Sequence, residues 1–496
     1  MPRLTRRMAA WRRAGISSPR KFALPLLVAS LLAGIYLLST RPSSTSLPDA
    51  LLGVAIVWLG VAPSIAYLLT RRRPPMPFMA LTGLYYIAAF GLPVFQDLAG
   101  ENVRFTEIST HAALLVVGGL SFFYCGYYLA MQFLVRRIRP FSLPPQDPGK
   151  LRIALWLLMA LHLTGVFFAS LRAIPSVPHF AEAAGFVASG MLFWKYLSGE
   201  LSRAEKPLLL AGIGLQFTAR LASGFMAQVL ELGIFLILVY WVQRRKVPWK
   251  SIAVMVTGFV LFNSVKVEYR RAAWFGAYSD ASAPRKAAMF VQLSYEKLQR
   301  QGEYVGAAYD SVVNRASQIG FLTYVIQETP DVVPYWNGET YSFLPYMLIP
   351  RIIWPDKPTQ TLGFEFSHRY GTRDESDTSS SFNLPWIVEL YANFGDAGAL
   401  VGLGLIGVLF AALEAKFNNA AMAPVELIIG MTILHDLINH ESNFSMTCGN
   451  VGLYALSFWA YFSVLGARGY GPRVRRAAVP AWRNDARCGV NPRQTA

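Results

Sequence analysis

The sequence predicts an all-α, polytopic integral membrane protein with about 12 transmembrane helices and one large structured extracytoplasmic loop. Three observations predict it: a composition with 54% hydrophobic and only 15% charged residues, recurrent apolar runs of spanning length, and a strict alternation of basic residues between them. A soluble chain of 496 residues would carry far more charge on its surface.

The apolar runs fall at 22–39, 50–69, 77–95, 111–134, 153–171, 180–197, 207–222, 224–242, 250–267, 385–413, 421–438 and 447–466. Nearly all are long enough to cross a ~30 Å hydrocarbon core at 1.5 Å per residue. The 207–222 and 224–242 pair is joined by only a Ser223-Gly224 step and holds Arg220, so a re-entrant hairpin is the competing reading there.

Lys and Arg accumulate in cytoplasmic connections. Residues 1–21 carry seven, 70–76 three, 135–152 five, 195–206 three, 243–250 four, 414–420 one and 467–496 seven. The alternate short connections carry Arg41, Arg104, Arg172 and Arg220, one each. This pattern places both termini in the cytoplasm and the long loop outside. The organisation is thus a basic tail at 1–21, nine helices in 22–267, an extracytoplasmic loop domain at 268–383, three helices in 384–466 and a basic tail at 467–496.

The net charge of +17 is a topological signal and not a nucleic-acid footprint, because its basic residues sit at membrane edges. The outer loop itself is nearly neutral, with eleven Lys/Arg against thirteen Asp/Glu. Cys125, Cys448 and Cys488 lie apart in the chain and provide neither a disulfide framework nor a metal-ligand spacing, so no structural metal is expected. The first apolar run lacks a small-x-small cleavage site and reads as a retained helix.

The loop is too long to be a simple connection, and its Tyr, Trp, Phe and Pro argue for order. Residues 284–327 carry helical patterning and predict two short surface helices. Pro345, Pro350, Pro355 and Pro358 then forbid a regular helix and stiffen an apolar segment that presents Arg351, Asp356 and Lys357. Beyond a Ser-rich stretch, Glu389, Asn393 and Asp396 fall at i, i+4 and i+7 and are expected on one face of a long helix. A carboxylate in an apolar membrane helix is costly and suggests function, with an inward ion pair as the bland alternative.

At these residues the sequence resembles the bacterial O-antigen polymerases, or oligosaccharide repeat unit polymerases. The resemblance is carried by Ile349-Pro350-Arg351 through Trp354-Pro355-Asp356-Lys357-Pro358, and by Glu389-Leu390-Tyr391 with Asn393-Phe394-Gly395 opening a Gly-rich span. The late outer loop and the arginines Arg270, Arg271, Arg315, Arg351, Arg369 and Arg373 add to it. It implies a glycosyltransferase at the outer face of the bacterial inner membrane that joins undecaprenyl-diphosphate-linked oligosaccharides, needs no cofactor or metal, and works beside a chain-length regulator and a flippase of the same pathway.

Such chemistry needs fixed cations for the departing diphosphate, for which Arg351 is the first expectation and Arg270, Arg271, Lys357 and Arg369 the others. It also needs a proton acceptor for the attacking hydroxyl, with Glu389 first and Asp356 and His368 behind it. Snorkelling to headgroups would equally explain Arg270 and Arg271, and Glu389 would equally serve to position a loop arginine. His440-Glu441 reads as a polar interfacial turn. An O-antigen ligase has the same charge requirements; a lipid-linked oligosaccharide transporter fits less well, because no two halves of the chain match.

Overall fold

The computed structural model describes residues 19–70, 73–96, 105, 107–168, 177–263, 265–299, 316–347, 349, 354–358, 361–374, 382, 384–438 and 440–467. Among these residues the fold is built of helices, with one isolated bridge between Gln146 and Ala467.

Twelve helices lie at the twelve apolar runs: α1 (Ala23–Ser39), α2 (Leu47–Leu69), α3 (Phe78–Tyr86, continued by tighter and wider turns to Phe95), α4 (Thr110–Phe133), α5 (Pro148–Phe167), α6 (Val177–Ser198), α7 (Glu205–Ser223), α8 (Met226–Arg244), α9 (Trp249–Asn263), and late in the chain Trp386–Phe417, Pro424–His435 and Phe444–Tyr461. Eight of them are long and apolar enough to cross a membrane; α6, α7, α9 and Pro424–His435 fall outside that group. Local chemistry sets the starts. Ser46 caps α2 by accepting from Asp49 N, Ser109 caps α4 through Ala112 N, and Asp147 caps α5 through Gly149 and Lys150 N. Gly224, in the left-handed conformation, closes the α7–α8 hairpin.

Within 268–383 lie α10 (Ala283–Gln299), α11 (Ile319–Glu328) and α12 (Leu362–Arg369). The first two match the helical patterning of 284–327, whose middle, 300–315, lies outside the described residues. The proline-rich stretch forms one helical turn at Leu344–Met347 and irregular backbone at 354–358. The three helices of the last segment are α13 (Trp386–Phe417), α14 (Pro424–His435) and α15 (Phe444–Tyr461).

The centre of the bundle is the α4–α13 pair, which packs backbone against backbone. A Cβ on Gly126 would meet Gly404 O at 2.1 Å, and one on Gly407 would meet Phe123 O at 2.0 Å. Short connections meet at opposite ends of the bundle. Asn418 bonds Met76 through both N–H and C=O, and Phe141 N donates to Lys416 O at one end; Thr45 reaches Val94 O, Thr110 reaches Asp49, and Gln318 N reaches Ala89 O at the other. The loop helix α11 packs on this second end, against α4 and α13.

Candidate functional site

The site is set by one residue. Gly395 adopts φ 66°, ψ −159°, which splits α13 into 386–394 and 396–417. The part after the break is by itself about 33 Å long at 1.5 Å per residue, enough for the hydrocarbon core. The part before it is therefore free to project into the loop layer.

A helix break leaves carbonyls without i+4 donors. Here the loop supplies them: Trp336 N donates to Ala392 O and Asn337 N to Asn393 O. The Asn393 side chain completes the junction, accepting from Gly338 N at 2.8 Å and donating to Thr340 Oγ1 at 2.9 Å and Glu389 O at 2.8 Å. Segment 334–341 is thus latched to the broken helix.

The break also corrects the expected shared face of Glu389, Asn393 and Asp396. Glu389 and Asn393 are fully buried, whereas Asp396, one residue past Gly395, turns outward and meets His111 Nε2 at 2.7 Å. An unbroken helix was the premise of that expectation, and a left-handed glycine removes it.

Glu389 makes no ion pair among the described residues. Its Oε2 accepts from Phe444 N at 2.8 Å, at the start of α15, where a carboxylate is favoured by the helix dipole. Around it Leu384 N donates to Asn443 Oδ1, Trp386 N to His440 O, and Trp386 Nε1 to Ser442 O. Glu389 is one of four bonds that clamp the α13 start to the turn before α15.

His440 is no interfacial residue. It is buried, stacked on Trp386 at 3.9 Å between centroids, bonded through Nδ1 to Tyr86 OH, and ringed by Tyr85, Phe123 and Phe410. Burial pushes its imidazole down to about 3, so it is neutral in the core. Trp386 and Trp336 are likewise buried in the core.

Beneath the latch an apolar groove of about 520 Å³ runs along the 396–417 helix, lined by Phe394, Gly398, Val401, Gly402, Leu405 and Leu409 and headed by Tyr341 and Phe444. Tyr341 stacks on Phe394, and burial, reinforced by Glu389, holds its phenol well above the ordinary value.

The expected cations fall in two places. Arg369 belongs to the latch: it donates to Pro334 O, lies 3.7 Å from Glu339, and sits 4.3 Å over Trp336. Arg270 follows Tyr269, a member of a second hydrophobic cluster with Phe290; its guanidinium lies 5.1 Å from the Phe225 ring and 4.7 Å from the Trp274 ring and donates to Gly224 O. Arg271 beside it is exposed. Lys357 is buried and donates to Ile349 O, Asp356 is exposed, and His368 is half-buried on α12. Arg351 lies outside the described residues. Among the described residues no group of three or more His, Cys, Asp and Glu could hold a metal ion.

In the sequence Arg220 stands out only as an interruption of an apolar run and as the one basic residue of a short connection. It is buried on α7, 5.0 Å over Phe186, and bonded to Gln228 O, with Glu182 at 3.5 Å. Nothing in the sequence singles out His111, whose partner is 285 positions away.

Fold and site together define a multi-pass α-helical membrane protein whose late broken helix receives a polar loop above an apolar groove. The protein belongs to the family described as Domain of unknown function (DUF8712), which matches residues 77–422 and so takes in the latch and all of the groove but Phe444. No curated protein and no solved structure matches the chain.

Proposed function

We propose that the protein is a glycosyltransferase of lipid-diphosphate-linked oligosaccharides, polymerising undecaprenyl-diphosphate-linked repeat units into a surface polysaccharide at the outer face of the inner membrane. The observation that carries this reading is the apolar groove along the 396–417 helix, capped by the 334–341 latch. A groove within a spanning helix that ends at polar loop backbone suits an amphiphile, with its chain among Val401, Leu405 and Leu409 and its head at the loop.

In this reading twelve spans place both termini in the cytoplasm, and the end of the bundle that bears α11 and the latch faces outward. The basic connections at 135–152, 243–250 and 414–420 support it, since all fall at the opposite end. Charge grows on the diphosphate as the glycosidic bond breaks, so cations fixed near it favour the transition state. Arg271, with Arg351, is assigned that part; Arg270, Arg369 and Lys357 already use donors on backbone carbonyls. Glu389 fits holding the α13–α15 clamp better than proton transfer, being fully buried and bonded to Phe444 N.

The test is a gel of lipid-linked and surface polysaccharide from a strain lacking the gene. Loss of long glycan with a single repeat unit retained on its carrier or lipid core supports polymerisation. Long chains persisting on the carrier lipid point to a ligase, and an unchanged pattern overturns the reading.

A further inference from the structure

We propose that His111 and Asp396 form the acid–base pair of the transfer reaction, with His111 the catalytic base; this rests on the lipid-linked glycosyl-transfer reading above. A base for a substrate hydroxyl must be reachable, oriented, and able to hold a proton transiently.

His111 meets all three conditions. It is the second residue of α4, and Asp396 is the first residue past the α13 break, so both stand at the same end of the most closely packed helix pair in the fold. Their side chains are 48% and 54% exposed. Glu389, seven residues earlier on the same helix, is closed to solvent. The Nε2–Oδ1 distance of 2.7 Å makes Asp396 the acceptor of the Nε2 proton, so in the neutral imidazole the lone pair lies on Nδ1. Among the described residues Nδ1 has no hydrogen-bond partner. A base held by a carboxylate on one nitrogen and open on the other is the arrangement that activates a hydroxyl nucleophile.

The surroundings bring the dyad to the latch. The His111 ring meets Tyr391 edge-on at 6.3 Å, and Tyr335 of the latch lies against Gly395, where an added Cβ would come within 2.9 Å of its hydroxyl. The glycine that turns Asp396 toward His111 is therefore the one that docks the loop.

In the step, the acceptor hydroxyl gives its proton to His111 Nδ1 as its oxygen bonds to the anomeric carbon of the lipid-diphosphate-linked donor. The bond from that carbon to the diphosphate oxygen breaks, and its electron pair leaves on the diphosphate. Asp396 balances the imidazolium until the proton passes to water. No charge is left over and no further reactant is needed.

The bland alternative is a surface clamp between α4 and α13, and the experiment separates the two. Full-length protein in liposomes is given lipid-diphosphate-linked repeat units as both donor and acceptor. His111→Gln keeps an N–H for Asp396 and so keeps the clamp; His111→Ala opens room for free imidazole. Both are expected to lose about 10²- to 10⁴-fold in rate. The glutamine variant should melt with the wild type, and added imidazole should restore part of the rate of the alanine variant. Asp396→Asn should lose about tenfold or more by misorienting the ring. A wild-type rate in His111→Gln overturns the proposal, as does a loss in His111→Ala that follows its melting temperature and ignores imidazole. A wild-type protein that transfers nothing overturns the glycosyl-transfer reading itself, and the dyad falls with it.

Discussion

Glu389 and Asp396 stand seven residues apart and have opposite surroundings. Glu389 satisfies Phe444 N, so Glu389→Ala leaves that amide without its partner and should cost about 1–3 kcal/mol. Glu389→Gln retains an acceptor and should melt close to the wild type in detergent. If Glu389→Gln folds normally and makes product, the carboxylate holds the clamp; loss of product at an unchanged melting temperature would assign it to the chemistry instead. That Glu389 was important was legible from its type and place, since an apolar run rarely carries a carboxylate. Its partner was not legible, because Phe444 is a backbone donor 55 positions away and any residue type but proline would supply the same N–H.

At the scale of the element, α13 and its glycines decide the architecture. Gly395 occupies a backbone region that residues with a Cβ adopt only under strain, and a Cβ there would also press on the Tyr335 hydroxyl. Gly395→Ala should cost about 1–3 kcal/mol, loosen the 334–341 latch, and raise proteolysis of the loop in intact membranes. Gly407 answers a different requirement, the approach of α13 to Phe123 O of α4. Gly407→Leu should separate the pair and sharply reduce folded protein on size-exclusion chromatography, whereas Gly214→Ala, with open space around it, should be silent. The sequence shows a Gly-rich span, but it does not mark which glycine breaks the helix and which receives a neighbour. Both requirements are written as the same missing side chain.

At the scale of the molecule, the proposed orientation rests on the alternation of basic connections along the chain. Single cysteines placed at Glu339 and at Lys246 should react with an impermeant thiol reagent from opposite sides of a sealed vesicle, Glu339 from outside. Labelling of both from one side would overturn the orientation. The expected cations are spread over two clusters, with Arg369 on the latch and Arg270 against α7 and α8.

The sequence by itself determined the class of protein and the positions of twelve of the described helices. These follow from apolar length, cap residues and charge, which act over a few neighbouring residues and can be read in order along the chain. Only the tertiary structure decided that α13 is broken, that His440 is a buried core residue, and that Asp396 turns from Glu389 to meet His111. Each of these depends on a group contributed from far away in sequence: loop amides for the freed carbonyls, five aromatic rings for one imidazole, and an imidazole for one carboxylate. Contacts of that kind are made by whatever the packing brings close, and linear spacing carries no record of them.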